Sequence, residues 1–259
     1  MVRNSYELKL IRESGRIAGG ALKKALQKVK PGVTELEIDK IAEKEIYRLG
    51  GDLSYKTVPG YQFATCITVN DQVVHGIPTE RKFQEGDLVS VDLAVEYRGW
   101  HTDCAWSIMV EDGRSKIEDR EEKKKFLKVG EEALWDGISQ AVEGNRVGDI
   151  SAAIQTKVEG GGFSVVRSLV GHGVGKSLHE EPEIPGYGNS GTGALLKEGM
   201  SLAIEVIYAM GKFEVVLQED GWTYRTADKS LAGLFEMTVI VGPPAGEAGK
   251  NEPEVLTRF

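Results

Sequence analysis

Apolar residues recur every three to four positions across residues 5–28 and again across 34–49, with Pro31-Gly32 between the two runs. That spacing predicts two amphipathic helices divided by a turn. The next segment, 64–74 (ATCITVNDQVV), is dense in Thr, Ile and Val and predicts a strand. Residues 87–96 (DLVSVDLAVE) and 101–110 (HTDCAWSIMV) predict the two arms of a β-hairpin turning at Arg98-Gly99. A charged stretch, 111–125, predicts a solvated loop that runs into a helix over about 120–143. A shorter helix over 148–158 precedes Gly160-Gly161-Gly162, and 164–170 predicts a strand. Strands over 200–208 and 231–241 close the pattern ahead of a Pro/Gly/Glu-rich tail, 243–259. The order of two helices followed by strands occurs twice. VKPGVTELEIDKIA, starting at Val29, has a counterpart in VEGNRVGDISAAIQ, starting at Val142. Taken as a repeat, this divides one domain into related halves, roughly 1–112 and 125–245, with a site between them.

The totals narrow the function without naming it. A chain of 259 residues can bury a large core, and 41% apolar with 28% charged residues is an ordinary globular balance. The net charge of −8 and the absence of any Lys/Arg run argue against a surface that tracks phosphates. Only Cys66 and Cys104 occur, too few for a disulfide framework and wrongly spaced for a zinc knuckle. The opening stretch, MVRNSYELKLIRESGRIAGG, alternates charged and apolar positions, unlike a signal peptide. No apolar run anywhere is long enough to span a membrane. A cytoplasmic location is the expectation.

Four acids interrupt the apolar strand patterns: Asp92 in LVSVDLAV, Asp103 in HTDCAWSIMV, Glu205 in SLAIEVIY and Glu236 in GLFEMTVIV. An ionised carboxylate buried without a partner costs several kcal/mol, so it must be paired, protonated or bound to a cation. Any one of them alone reads as an exposed acid on a sheet edge. Together, with few basic residues nearby, they read as a shared cation site. A two-residue turn at Arg98-Gly99 would bring Asp92 and Asp103 to one face of the hairpin, with Cβ atoms roughly 5–8 Å apart. Two carboxylates that close force one neutral unless a cation lies between them.

The chain has four histidines, His75, His101, His172 and His179. His172 opens the stretch GHGVGKSLHEEP, and one imidazole among several carboxylates suits Mn²⁺, Fe²⁺ or Co²⁺ better than a closed structural zinc site. The His-Glu-x-x-His spacing of a zincin is missing. GHGVGKS approaches a phosphate-binding loop, yet it is one residue short, with Val at position 170 and a His inside, which a backbone nest for phosphate does not accommodate. Taken singly, His75 before Gly76 and His101 just past the hairpin turn read as surface turn residues.

The segments TCITVNDQVVHGIP, LVSVDLAVEYRGWHTDCAWSIMV, GHGVGKSLHEEP, AIEV and LFEMT resemble, in order and spacing, the type I methionine aminopeptidases. The resemblance spans nearly the whole chain, from ELKLIRESGRIAGG to PEVLT. It implies an α+β "pita-bread" fold, two pseudo-symmetric halves with a curved antiparallel sheet covered by helices. It also implies two divalent ions (Co, Mn, Fe, Zn or Ni), about 3.5–4 Å apart, that share and activate a water as a bridging hydroxide. By resemblance Asp92 holds one ion, His172 and Glu205 the other, and Asp103 and Glu236 bridge both. Glu205 would move the proton, His179 would stabilise the oxyanion, and His75 would meet the scissile amide nitrogen or the leaving amine. Tyr61, Cys66 and Trp222 match residues of the methionine pocket.

The implied activity is removal of the N-terminal methionine from newly made proteins. The expected partners are nascent peptide N-termini and the ribosome surface, and the expected state is a monomer, with no nucleic acid or membrane. Departures fall around the pocket. Val58 and Leu178 stand where rings are frequent, Val206 follows Glu205 in place of Pro, and Met237 follows Glu236 in place of His. Rival readings on the same scaffold are a proline-specific aminopeptidase, a creatinase-like hydrolase, or a binding protein that has lost the chemistry. The first two carry an extra N-terminal domain, whereas here little more than two predicted helices precedes the Cys66 strand. The third loses ligands that this chain keeps. Type II methionine aminopeptidases carry a sizeable helical insertion, for which the short span from His179 to Glu205 leaves no room.

Overall fold

The computed structural model describes residues 2–111, 120–243 and 252–259. Helix α1 (Ser5–Leu26) starts at Asn4 and α2 (Glu35–Arg48) at Thr34. Each start is a capping box: the cap side chain accepts from the backbone three residues on, and Glu7 or Glu37 reaches back. Strand β1 (Asp52–Leu53) and a 3₁₀ turn, Ser54–Thr57, follow. The strand predicted over 64–74 is two, β2 (Thr65–Val69) and β3 (Gln72–Val74), because Asn70 turns the chain with φ of 59°. Strands β4 (Leu88–Glu96) and β5 (His101–Met109) form the expected hairpin. Arg98 and Gly99, at φ of 52° and 78°, give the double positive φ that a tight two-residue turn requires.

Helix α3 (Arg120–Ser139) ends short of the predicted 143, where the Ala141 carbonyl and the Glu143 N–H bond instead to the backbone of Gly242. Residues 112–119, in the predicted loop, lie outside the described residues. Helix α4 (Val147–Gly160) and strand β6 (Ser164–Val165) come next. The strand predicted over 164–170 stops after two residues, and pairing with the same neighbour resumes only at β7 (Gly171–Gly173). Then follow β8 (Glu180–Ile184), β9 (Ser201–Ala209), β10 (Val215–Leu217), β11 (Tyr224–Thr226), β12 (Ala232–Ile240) and β13 (Glu254–Val255). The last falls within the predicted tail, of which 244–251 lie outside the described residues, and it adds a strand beside β12.

Strands β1-β4-β5-β12-β9-β7-β8 form one antiparallel sheet, with β2 beside β4 and β6 beside β9, while β10-β11-β3 form a small second sheet. Helices α1 and α2 cover β2, β4 and β5 over a core that includes Ile17, Leu22, Ile38, Val91 and Leu93. Helix α3 covers β9 and β12, and α4 packs beside it over β6 and β8, around a shared core that includes Phe126, Ile150, Ile204 and Phe235. Side chains alternate across a strand, so the odd-numbered Val91 and Leu93 meet helices while Asp92 faces away from them. The acids therefore emerge on the uncovered side of the four longest strands.

Candidate metal centre and substrate cleft

The register aligns the acids. Across the sheet Asp92 lies opposite Ala105, Ala105 opposite Glu236, and Glu236 opposite Glu205, one row over β4, β5, β12 and β9. Asp103, paired with Ala94, stands two residues along on the same face. Ala105 contributes only a methyl to the row and so leaves space in its middle. His172 pairs with Ala203, two residues from Glu205.

The backbone ladder between β5 and β12 covers Ala105–Glu236 and Cys104–Met237. On either side a buried hydroxyl takes over. Ser107 Oγ donates to the Leu234 carbonyl and accepts its N–H (2.8 and 2.9 Å), and Thr238 Oγ1 does the same for Asp103 (2.8 and 2.9 Å). A hydroxyl can do both at once. The seam is thus held together while its strands part around the acids.

Ligand atoms of Asp103, His172 and Glu236 lie within 4.8 Å of one another, and all three residues are buried. His172 Nδ1 donates to the Gly173 carbonyl at 2.9 Å, which leaves the Nε2 lone pair facing Glu205 Oε1 at 3.6 Å. The Tyr55 hydroxyl donates to Asp92 Oδ1 at 2.6 Å and reaches Asp103 Oδ1 at 3.5 Å. The Cys104 N–H donates to Asp103 Oδ1 at 3.0 Å. Glu236 Oε1 is buried with no hydrogen-bond partner.

Burial first, and the charge of Asp103 next, push the carboxyls of Asp92, Glu205 and Glu236 well above the usual range. Burial pushes Asp103 itself up to about 7, against the pull of the Cys104 amide, Asp92 and the Tyr55 hydroxyl. His172 is pushed down to about 4 by burial and by His179. No Lys or Arg is among the described residues lining this cleft. Four crowded carboxylates, one orphaned oxygen and one neutral imidazole fit a divalent cation with oxygen preference and tolerance for nitrogen. A bound divalent cation would meet each of those unsatisfied demands at once.

Above the acids lies a cavity of about 130 Å³. One wall is aromatic: Tyr61 meets Trp222 at 5.1 Å and Tyr55 at 5.6 Å, both edge to face, and Cys66, Val58 and Leu178 complete it. His75 and His179 stand at the mouth with part of each residue open to solvent; partial burial of the rings lowers both pKa values, and His179 lowers that of His75 further. His75 has φ of 57°, a conformation that costs energy in a non-glycine residue and clusters at functional sites. A wider groove of about 740 Å³ between α3 and α4 shares no residue with this cleft.

A family model, metallopeptidase family M24, matches residues 9–241. The chain belongs to metallopeptidase family M24. Within family M24 it groups with the methionine aminopeptidases. It is 42% identical over 257 residues to a methionine aminopeptidase of Clostridium perfringens, covering 99% of this chain and 98% of that one. It is also 42% identical over 235 residues to methionine aminopeptidase 1 of Bacillus subtilis, covering 91% and 92%. The structure superposes on the methionine aminopeptidase of Thermotoga maritima with a TM-score of 0.91, 37% identity and full coverage of both chains. A prolidase from Pyrococcus furiosus, at 22% identity and a TM-score of 0.75, shares the pita-bread fold, and this chain spans 65% of it. The M24 fold is thus the α+β architecture expected from the resemblance.

The structure brings Asp92, Asp103, His172, Glu205 and Glu236 to one place, with His75, His179, Tyr61, Cys66 and Trp222 around the same cavity. His101 does not match its reading as a surface turn residue. It is buried, its Nδ1 lies 2.7 Å from Ser54 Oγ, and its backbone N–H donates to the Gly175 carbonyl. Paired as it is opposite Glu96, the hairpin end is covered by the Gly-rich loop rather than by water. Sequence reasoning misses Tyr55, Ser107 and Thr238 as site residues. Tyr55 belongs to a 3₁₀ turn with no periodic pattern to flag it, and the two hydroxyls look like ordinary strand residues.

Proposed function

We infer that this cleft removes the N-terminal methionine from peptides and newly made proteins with two divalent ions. Asp92 would hold one ion, His172 and Glu205 the other, with Asp103 and Glu236 shared. Bound there, the ions supply Lewis acidity toward the first peptide carbonyl and acidify water. Glu205 accepts the proton of the attacking water and returns it to the departing amine. His179 donates from the cleft mouth to the oxyanion of the tetrahedral intermediate. His75 hydrogen-bonds the scissile amide nitrogen and so orients the peptide. Tyr61, Cys66 and Trp222 line the pocket for the methionine side chain. A cavity of about 130 Å³ has room for one terminal side chain.

Val58 and Leu178 widen the pocket where rings are frequent, and such changes alter discrimination by only about 1–3 kcal/mol, so methionine stays favoured. We read the chain as one catalytic domain of two related halves, 1–112 and 125–245. It would act as a cytoplasmic monomer on nascent N-termini at the ribosome surface. No helix among the described residues is long and apolar enough to cross a membrane.

The observation that carries this reading is the row Asp92–Ala105–Glu236–Glu205, with a buried carboxylate oxygen that has no partner. A peptide library varied at its first residue, incubated with and without a chelator, tests it. Cleavage after methionine that stops with chelator and returns with Mn²⁺ or Co²⁺ is expected. Preference for Xaa-Pro peptides, or turnover indifferent to the chelator, would overturn it.

A further inference from the structure

Arg3 is buried, 4% exposed, and lies far in sequence from everything its side chain touches. Nε donates to Ser201 Oγ at 3.0 Å and Nη2 to the Val174 carbonyl at 2.9 Å. Nη2 also donates to the Glu180 carboxylate, and the guanidinium lies 5.2 Å from the Trp100 ring centre. The backbone N–H of Arg3 donates to the Gly199 carbonyl at 3.0 Å, which fixes where the side chain starts. The other Glu180 oxygen accepts the N–H groups of Lys176 and Ser177, at 2.6 and 3.1 Å.

These contacts close residues 174–180 into a ring tied at both ends by one guanidinium. His172 precedes the first tie by two residues, and His179 adjoins the second. Their rings lie 4.4 Å apart. The segment has no helix or strand of its own between β7 and β8. Gly175 shows how closely Arg3 is fitted, since a Cβ there would lie 2.3 Å from Nη2. Ser201 begins β9, the strand that carries Glu205, so the same side chain also ties the loop to that strand.

We propose that Arg3 is a positioning residue that sets the placement of His179 over the cleft. A guanidinium suits this role because its planar fork donates in several fixed directions, which an ammonium cannot reproduce. The proposal rests on the functional reading above and concerns the rate of the step that His179 serves, with metal binding left intact.

The test is a double-variant cycle of Arg3→Gln and His179→Ala in the full chain, with kcat and KM on a Met-Ala-Ser peptide and metal content measured for each protein. Arg3→Gln is expected to lower kcat about tenfold, a modest misplacement of a reacting group. KM should stay within about threefold, and metal content should match the parent. In the His179→Ala background the same change should lower kcat by less than about twofold, because groups acting through one another are non-additive. An equal loss in both backgrounds, or none in either, overturns the assignment. If Arg3→Gln fails to fold, Arg3→Lys keeps a cation beside Glu180 and loses the fork. It is read in the same cycle, with an expected kcat loss of about threefold confined to the His179 background. A parent that binds metal yet leaves the peptide intact defeats the functional reading and this one with it. A parent that cleaves while the cycle is additive defeats only the role of Arg3.

Discussion

Asp103→Asn should make the metal-free protein more stable at neutral pH while removing its capacity to bind metal. The substitution keeps the shape of the side chain, and the amide oxygen can still accept from the Cys104 N–H. What it removes is a titrating charge. Burial raises the Asp103 carboxyl from 3.8 to about 7, with the Cys104 amide, Asp92 and Tyr55 pulling the other way. Between those two values the folded protein holds a proton that the unfolded chain releases. The stabilising contribution is therefore complete below pH 3.8 and is lost as pH rises through about 7. The slope is about 1.4 kcal/mol per pH unit. Asn has no such slope. Because the slope halves by pH 7, melting both proteins in chelator should show the variant gaining on the parent by about 2 kcal/mol between pH 5 and 7, or about 4–8 °C in Tm for a chain of this size. Saturating Mn²⁺ should reverse the order, since ligand binding stabilises only the protein that binds it. A Tm difference that stays flat, or shrinks as pH rises in chelator, would refute the account of the acid row.

Tyr55→Phe deletes only the hydroxyl that orients Asp92, and metal affinity measured by chelator competition should fall about tenfold with the fold intact. Unchanged affinity would reduce Tyr55 to a wall of the pocket. His179→Ala should keep the metal content of the parent and lower kcat by roughly 10²–10³, the loss typical of an oxyanion donor. Gly76→Ala places a Cβ 2.1 Å from the Ile67 carbonyl oxygen, so the segment after β3 that carries His75 must shift away from β2. Urea unfolding should show a loss of about 1–3 kcal/mol, accompanied by lower kcat/KM.

The parts of this design that show in the sequence are those where local pattern and burial agree. Strands β4, β5, β9 and β12 are long enough for alternation to display itself, and an acid inside such a pattern is conspicuous because ionised groups rarely tolerate burial. Arg98-Gly99 announces the turn, and with the turn comes the register that puts Asp92 and Asp103 on one face. The short strands β3, β8, β10, β11 and β13 have no periodicity to detect, and their neighbours in space define them. Helix α3 stops at Ser139 where a distant segment, at Gly242, takes up the Ala141 carbonyl and the Glu143 N–H, a competition invisible from local propensity. His101 is misread for the same kind of reason, since only the fold lays Ser54 and Gly175 against it. Arg3 looks like one charge among many in an amphipathic start, and nothing local distinguishes it from the exposed Arg12 or Arg16.

The seam between β5 and β12 explains why a costly arrangement of acids can persist. On one side of it α1 and α2 complete a core with β4 and β5, and on the other α3 and α4 complete a core with β9 and β12. Each core can bury its apolar surface without help from the acids, so the energy to hold a strained centre comes from the flanks. At the seam itself, Ser107 and Thr238 replace ladder bonds with hydroxyl bridges, which keeps the polar backbone satisfied while opening room for side chains. Asp92 and Asp103 come from one flank, His172, Glu205 and Glu236 from the other. A cation held among them would neutralise the repulsion and also tie the flanks together, so that metal affinity and the strength of the seam rise or fall as one quantity.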